Sequence, residues 1–334
     1  MLGAIVIAGS ECTKSNSDYG VGSFSTPVDL GLFSEGIASI PVLGCSTIGR
    51  MAESIRRAGI DDVSVFGERK HGIRRATELN TPGLDLAEEW RSAARQFGIY
   101  RERGFEAVLI ARTGAYIECE FAALFERHRE HGESVTRVFD HEGPLDVWIV
   151  DPSRVDESNG LLTELQNAES ADCALGGYVN RLESVRDLRR FAIDILTLRC
   201  RTRPAGVEVR PSLWLADGAQ VARSARLVAP AYIGRGVKIT DDCLITRCSN
   251  VEANSYVDFG TAVEDSSILP ETYVGIGLDL SHSLVYGSEI FNLHHDVRLR
   301  ISDPVVLRKH TARAHGGRST FETNEVAFST TGRQ

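Results

Sequence analysis

Residues 227–263, LVAPAYIGRGVKITDDCLITRCSNVEANSYVDFGTAV, place a branched aliphatic side chain at every sixth position. This interval matches neither the 3.6 residues of a helical turn nor the two-residue alternation of a single strand. It matches a solenoid with three short strands in each coil and one inward aliphatic side chain per strand. The full series comprises Val209, Leu215, Val221, Leu227, Ile233, Ile239, Ile245, Val251, Val257, Val263 and Leu269.

A second series of small or modest side chains follows the first by four residues. Such residues are needed where the chain bends at the corners of a triangular prism. The two series together form the hexapeptide pattern of a left-handed parallel β-helix, which we predict for residues 207–290. The members of the second series are Ala219, Ala225, Ala231, Val237, Cys243, Ser249, Ser255, Thr261 and Ser267.

The chain of 334 residues is long for one domain. Strand-like and helix-like segments alternate over residues 1–150, which predicts an α/β domain that we extend to residue 200. Residues 291–334 are assigned to a C-terminal extension, and the polar, aperiodic part after about residue 303 is expected to be loose. The predicted strands are 4–8, 62–66, 107–111, 135–139 and 146–150, and the predicted helices begin near residues 48, 90, 117 and 184.

Parallel strands joined by helical crossovers bind ligands at their carboxyl ends. The candidate site is therefore expected near residues 8–12, 66–70 and 111–116. Before the solenoid, Ser184 and Asp187 have the spacing of a capping box at the start of the last amphipathic helix.

Bulk properties exclude several classes of function. A net charge of −9 argues against binding nucleic acid. The apolar opening segment, residues 2–8, is too short to span a bilayer and lacks the positive leader of a secretory signal. Seven cysteines without regular spacing indicate reduced thiols. We expect a cytoplasmic protein whose partners include neither membrane nor nucleic acid.

Three local segments add a resemblance to a known family. Residues 40–48, IPVLGCSTI, precede a helix that ends in Ala58-Gly59-Ile60. Residues 107–130 run from a strand to a helix with a histidine-arginine pair near its end, and residues 178–180 precede the Ser184 helix. With the predicted β-helix behind them, these segments resemble the sugar nucleotidyltransferases, also called NDP-sugar pyrophosphorylases. The resemblance implies a Rossmann-like catalytic domain.

Members of that family join a nucleoside triphosphate to a sugar 1-phosphate and release pyrophosphate. The resemblance implies a glycine-rich loop with cationic side chains and two aspartates that hold Mg²⁺. In this chain the loop keeps only Gly9-Ser10 with Lys14, and no lysine precedes Pro41. The two metal-binding positions fall on Gly114 and Asn180, neither of which offers a carboxylate. No metal site is therefore predicted, and Mg²⁺ is expected only if turnover persists.

The leading hypothesis is a catalytically degenerate member of the family. It would bind a sugar nucleotide or sugar phosphate and act as a regulatory subunit in carbohydrate metabolism. We expect a homo-oligomer, and a regulatory role implies a partner enzyme. The candidate ligand-binding residues are Gly9, Ser10, Lys14, Arg112, Thr113, Gly114 and Asn180.

Three alternatives stay open. One is an active transferase with a rebuilt site that uses Lys14, Lys70 and Arg112. Another is an acyltransferase with a histidine general base, for which His282 and His294-His295 are the candidates, although they lie beyond the clear repeat. The third is a purely structural scaffold. Glu118 and Glu120 are interpreted as solvated acids at a helix start rather than as relocated metal ligands.

Overall fold

The computed structural model describes residues 1–8, 40–60, 62–66, 86–113, 115–156, 160–168 and 170–310. Within these ranges, no helix combines the length and the apolar character needed to cross a membrane. The elements of the α/β domain are β1 (Leu2–Ala8), α1 (Thr47–Arg57), β2 (Asp62–Phe66), α2 (Leu86–Glu102), β3 (Ala107–Thr113), β4 (Tyr116–Cys119), α3 (Phe121–His131), β5 (Val135–Asp140), β6 (Gly143–Val150), α4 (Leu161–Asn167), β7 (Ser170–Ala174), β8 (Gly177–Asn180) and α5 (Val185–Leu196).

The α/β domain is built on a six-stranded sheet with the strand order β2-β1-β3-β6-β5-β7. Strand β1 is parallel to β2 and β3, whereas β6 is antiparallel to both β3 and β5. Ala4 and Val6 pack towards α1 and α3, while Ile5 and Ile7 pack towards α2 and α4. Because helices cover both faces, β1 needs a continuous apolar run rather than an alternating one.

Most elements of this domain agree with their sequence predictions. Strand β2 has the predicted bounds, and Ser184 and Asp187 form the predicted capping box at the start of α5. The third helix was predicted too early, because residues 116–119 form β4, which pairs antiparallel with β8. The sheet is also mixed rather than parallel throughout, since β5 and β6 are joined by a short turn instead of a helical crossover.

Many short, mostly parallel strands follow the α/β domain. They are β9 (Val207–Arg210), β10 (Leu213–Leu215), β11 (Gln220–Val221), β12 (Arg226–Leu227), β13 (Ala231–Ile233), β14 (Lys238–Ile239), β15 (Leu244–Thr246), β16 (Ser249–Val251), β17 (Tyr256–Val257), β18 (Ala262–Glu264), β19 (Ser267–Ile268), β20 (Thr272–Val274), β21 (Asp279–Ser281), β22 (Ser283–Tyr286), β23 (Glu289–Asn292), β24 (Val297–Arg300) and β25 (Leu307–Lys309). Residues 213–286 are named the coil region below.

The coil region consists of three sheets, and successive coils add one strand to each sheet. Leu213 pairs with Ala231 and Ala231 with Ser249, so these coils are 18 residues long. The aliphatic side chains of the three sheets meet in one apolar cluster in the interior. This layout is consistent with a parallel β-helix.

The predicted aliphatic series is correct from Leu215 to Val263 and wrong at both ends. Val209 lies on β9, which is antiparallel to β10, and it is 48% exposed. At the other end two successive coils are each a residue shorter, so Val251 pairs with Ile268 and Ile268 with Val285. Ile268 therefore takes the inward position that was predicted for Leu269, which instead packs with residues of the α/β domain.

Corner hydroxyl groups connect successive coils. Thr261 Oγ1 donates to the carbonyl oxygen of Gly275 at 2.6 Å and accepts the Leu278 N–H at 3.1 Å. Ser255 makes the equivalent pair of bonds. In the first of the shorter coils the corner is Ser266 rather than the predicted Ser267. Side-chain size explains the bend at a corner, but these hydrogen bonds explain why serine and threonine occupy several of the corners.

Removing one corner hydroxyl is expected to destabilise the coil region. In Thr261→Val a methyl group of similar shape replaces the buried hydroxyl, and the partly buried Leu278 N–H loses its acceptor. We expect the free energy of unfolding to fall by about 1–3 kcal/mol in urea denaturation. Thr197→Val is the control, because its hydroxyl also donates to a backbone carbonyl but is exposed. An equal effect of both substitutions would contradict this role of the corner hydroxyl.

The last described residues close the coil region. Strands β23 and β24 extend one sheet in antiparallel order, and β25 pairs antiparallel with β20. The Arg308 guanidinium lies 3.6 Å from the centre of the Tyr273 ring. The prediction of a loose segment after residue 303 is therefore wrong for residues 307–309, and residues 311–334 lie outside the described part.

Candidate functional site

The carboxyl ends of three parallel strands lie at one edge of the α/β sheet. Strands β2, β1 and β3 end at Phe66, Ala8 and Thr113. The chain passes from β1 to β2 on one side and then to β3 on the other, so the strand order reverses between β1 and β3. Open α/β sheets bind ligands at such a reversal. Five residues that were predicted for this edge lie outside the described part of the chain, namely Gly9, Ser10, Lys14, Lys70 and Gly114.

Arg112 lies at this edge, one residue before the end of β3. Its Nε donates to Asp146 Oδ2 at 2.8 Å, and its Nη2 contacts the same oxygen. The Arg112 side chain is 15% exposed and that of Asp146 is 40% exposed. A carboxylate on the neighbouring antiparallel strand β6 therefore compensates the guanidinium charge. A phosphate group that used Arg112 would have to share it with Asp146.

Both polar atoms of the Asn180 side chain form hydrogen bonds with backbone groups of a turn. Its Nδ2 donates to the Asp187 carbonyl at 3.0 Å, and its Oδ1 accepts the Leu182 N–H at 3.0 Å. Its backbone pairs with Tyr116, two positions after Gly114 in the sequence. The Asn180 amide thus connects β8 to α5. Among the described residues, no group of three or more histidine, cysteine or acidic side chains is placed to hold a metal ion.

Glu118 is a structural anchor rather than the solvated helix-start acid predicted from the sequence. It is buried within β4, and its Oε1 accepts the Tyr116 hydroxyl at 2.6 Å and the Thr202 N–H at 2.8 Å. Its Oε2 accepts the Arg201 N–H at 2.5 Å. The prediction holds for Glu120, which is exposed and pairs with the Arg201 guanidinium at 2.7 Å. Glu118 therefore holds the segment that leads into the coil region.

A cavity of about 350 Å³ lies between the β4–β8 pair and residues 198–203. Three arginines line it, namely Arg199, Arg201 and Arg203. Sequence reasoning missed this cavity. The available signal was the regular spacing of the three arginines, but the position of their segment depends on the buried Glu118, which accepts the Arg201 and Thr202 N–H groups.

The α/β domain and the coil region are joined by a buried polar network. Arg189 of α5 is 3% exposed and donates to the Cys248 carbonyl at 2.8 Å and to Asp265 Oδ1 at 2.8 Å. Further contacts join its Nη1 to Asn250 Oδ1 and Ser267 Oγ, both at 3.3 Å. Burial lowers the pKa of the Arg189 guanidinium, while the Asp265 carboxylate opposes that shift.

The same network continues to Glu252, which is fully buried. The carboxylate of Glu252 accepts the Leu43 N–H at 2.7 Å, the Gly44 N–H at 3.1 Å and Asn250 Nδ2 at 2.7 Å. Burial raises the pKa of this carboxyl to about 7. Gly44 has a φ of +79°, and a Cβ there would lie 2.3 Å from the Tyr232 hydroxyl. Only glycine fits this contact, which docks residues 42–45 on the coil region.

His282 lies inside the coil region, within the predicted bounds of residues 207–290 but beyond the strict six-residue repeat. It occupies the corner between β21 and β22, and its Nδ1 lies 2.6 Å from Asp265 Oδ2. The His282 side chain is 47% exposed, and the centre of its ring is 5.6 Å from that of His294. His294 and His295 belong to a turn rather than a strand. The shorter coils, which end the strict six-residue spacing, hid this position in the sequence.

Comparison with known proteins gives no family assignment. The chain matches no model of a known protein family, and no curated protein is significantly similar to it. What the described residues show is an α/β sheet domain followed by a region of short, mostly parallel strands.

Proposed function

We propose that this protein binds a sugar nucleotide or sugar phosphate without transferring the nucleotidyl group. The observation that carries the proposal is the reversal of strand order between β1 and β3 at the carboxyl edge of the sheet. The sequence resemblance to sugar nucleotidyltransferases supplies the class of ligand. In the same proposal the coil region is a left-handed β-helix, as the hexapeptide pattern predicts.

Binding is favoured over turnover by the contacts of Arg112 and Asn180, the two predicted site residues whose side chains the structure describes. Nucleotidyl transfer develops negative charge on phosphoryl oxygens, and catalysis requires cations placed to stabilise that charge. Asp146 compensates the charge of Arg112, and the Asn180 amide is used by backbone groups. Neither residue is placed as a free cation or a carboxylate ligand for Mg²⁺.

A regulatory role requires that a ligand site communicate with an assembly surface. The α/β domain contacts the coil region through Arg189 and Glu252, so these two parts are mechanically linked. Strand β24 forms one edge of the eight-stranded sheet and exposes Val297 and Leu299. An exposed strand edge with apolar side chains is suited to self-association or to a partner enzyme.

The test is a thermal-shift screen with NDP-sugars, free nucleotides and sugar phosphates, each with and without Mg²⁺. We expect one NDP-sugar to raise the melting temperature independently of Mg²⁺, because a ligand at 100 times its Kd stabilises the native state by about 2.7 kcal/mol. Arg112→Gln is expected to reduce that shift, and Asp146→Asn to increase it. Arg103→Gln is the control, since Arg103 is exposed and pairs with Asp62 outside this edge.

Two results would overturn this proposal. A shift with a nucleoside triphosphate that requires Mg²⁺, together with pyrophosphate release, would establish an active enzyme with a rebuilt site. The absence of any shift with the whole panel would leave a scaffold function.

Acyl transfer is the second candidate, favoured by the His282–Asp265 pair. A carboxylate at Nδ1 orients an imidazole so that Nε2 can act as a general base. The candidate reaction moves an acyl group from a thioester to an amine or hydroxyl, releasing a free thiol. Thiol release from an acyl thioester that is lost in His282→Gln and kept in His131→Gln would support it. Absence of thiol release with a range of acceptors would exclude it.

A further inference from the structure

The segment between α5 and the coil region presents its arginines on one side. Arg199, Arg201 and Arg203 are exposed, whereas Cys200 and Thr202 between them are buried. The three arginines line the cavity of about 350 Å³ described above. The cavity is within the size range of small-ligand sites.

The position of these arginines is set by a buried acceptor. The Glu118 carboxylate accepts the backbone N–H groups of Arg201 and Thr202, which fixes the segment against β4. Nη1 of Arg203 donates to the Cys200 carbonyl at 2.8 Å and to the Thr202 carbonyl at 3.0 Å. The backbone is thus held before any ligand binds, which lowers the entropic cost of binding.

The cavity is suited to an anion by its charge. Three arginines line it against Glu118, whose charge is used by hydrogen bonds, and the exposed Glu120. Arg201 and Glu120 are 74% and 71% exposed, so their ion pair is weak. Arg199 lies 3.5 Å from Asp194, itself the acceptor of the Tyr178 hydroxyl. A phosphate dianion can therefore compete with Glu120 for Arg201.

The two cysteines of the cavity do not suggest thiolate chemistry. Burial raises the pKa of the Cys119 and Cys200 thiols to about 12, so both are protonated near neutral pH. Since the thiolate is the nucleophile, covalent catalysis by these residues is disfavoured. The remaining chemistry of the cavity is the recognition of a negatively charged group by guanidinium donors.

We propose that this cavity binds a small phosphomonoester through Arg199 and Arg201, at a site separate from the carboxyl edge of the sheet. The ligand is the dianionic phosphate group of inorganic phosphate or of a sugar phosphate, which displaces Glu120 from Arg201. Because the segment connects α5 to the coil region, occupancy of this site stiffens the connection between the two parts of the protein. The site does not depend on the function proposed for the sheet edge.

The experiment is isothermal titration of the full-length chain with inorganic phosphate and with glucose 6-phosphate, at pH 8 and constant ionic strength. Arg201→Gln is expected to weaken phosphate binding about tenfold, because a charge-assisted bond is lost. Glu120→Gln is expected to strengthen binding about threefold by releasing Arg201. If the Arg201–Glu120 pair had only a structural role, the two substitutions would not change phosphate affinity in opposite directions. Arg57→Gln and Glu53→Gln are the matched controls, since they alter an exposed ion pair on α1.

The two proposed sites are distinguished by Arg112→Gln. If phosphate binds the cavity, this substitution leaves phosphate affinity unchanged while Arg201→Gln reduces it. Stronger binding by glucose 6-phosphate than by inorganic phosphate would identify a sugar phosphate as the ligand, and equal binding would identify the phosphate group alone. The proposal is overturned if phosphate gives no binding heat, or if affinity falls in Arg112→Gln and not in Arg201→Gln.

Discussion

Replacing Arg189 with glutamine is expected to lower the free energy of unfolding by about 3 kcal/mol, because a buried guanidinium that donates to Asp265 and to the Cys248 carbonyl is lost. The measurement is chemical denaturation followed by circular dichroism. Arg190→Gln is the matched control from the same helix, because the Arg190 side chain is 75% exposed. We expect the control to change stability by no more than about 0.5 kcal/mol.

The large effect of Arg189 follows from what the substitution leaves behind. The Asp265 carboxylate and the Cys248 carbonyl would lose a donor at the contact between the two parts of the protein. Glutamine is shorter and uncharged, so it cannot compensate Asp265. Asp265 would keep only its contact with His282, which lies on the exposed side. Equal stabilities of the two variants would show that Arg189 does not hold this contact together.

Replacing Glu252 with alanine is expected to cost about 3–5 kcal/mol of stability as well. The backbone N–H groups of Leu43 and Gly44 and the side-chain amide of Asn250 would lose their acceptor in a fully buried place. The control is Glu271→Ala, whose carboxylate is 47% exposed and lies 3.7 Å from Lys309. Chemical denaturation of both variants checks the difference.

Glu252 is also expected to make the stability of the protein fall as the pH rises. Burial raises the pKa of its carboxyl from 4.5 to about 7 in the folded protein. A raised pKa means that the folded state holds the proton more tightly, so the contribution is fully present below pH 4.5 and is lost as the pH rises through 7. Relative to Glu252→Gln, the wild type should lose on the order of 3 kcal/mol over this range. A stability difference that is constant with pH would contradict the raised pKa.

Periodic and local features were predictable from the sequence because they depend on neighbours a few residues away. The aliphatic spacing from Leu215 to Val263 indicated the coils, and Ser184 with Asp187 indicated the start of α5. Predictions from local patterns were wrong where pairing with a strand distant in the sequence decided the secondary structure or the inward position of a residue. Residues 116–119 have helix-compatible apolar spacing with α3, but pairing with β8 makes them a strand. Leu269 lost its inward position because the coil that leads to it is a residue shorter than those before.

The candidate site was only partly predictable for the same reason. Arg112 could be placed at the carboxyl end of β3 from the sequence, but its partner Asp146 lies 34 positions further along the chain. Glu118 was interpreted as solvated because its acceptor role requires backbone groups 83 and 84 positions away. The sequence shows the three arginines of residues 199–203, but it does not show the cavity that they line.

By itself, the sequence determined the period of the coils and the apolar strands of the α/β sheet. Only the tertiary structure decided which charges are free and which are compensated. The Glu252 carboxylate and the Leu43 N–H are separated by 209 positions and meet at 2.7 Å. Contacts of this kind depend on how two parts of the chain that are distant in sequence pack against each other, and burial then decides the protonation and the energetic weight of each group.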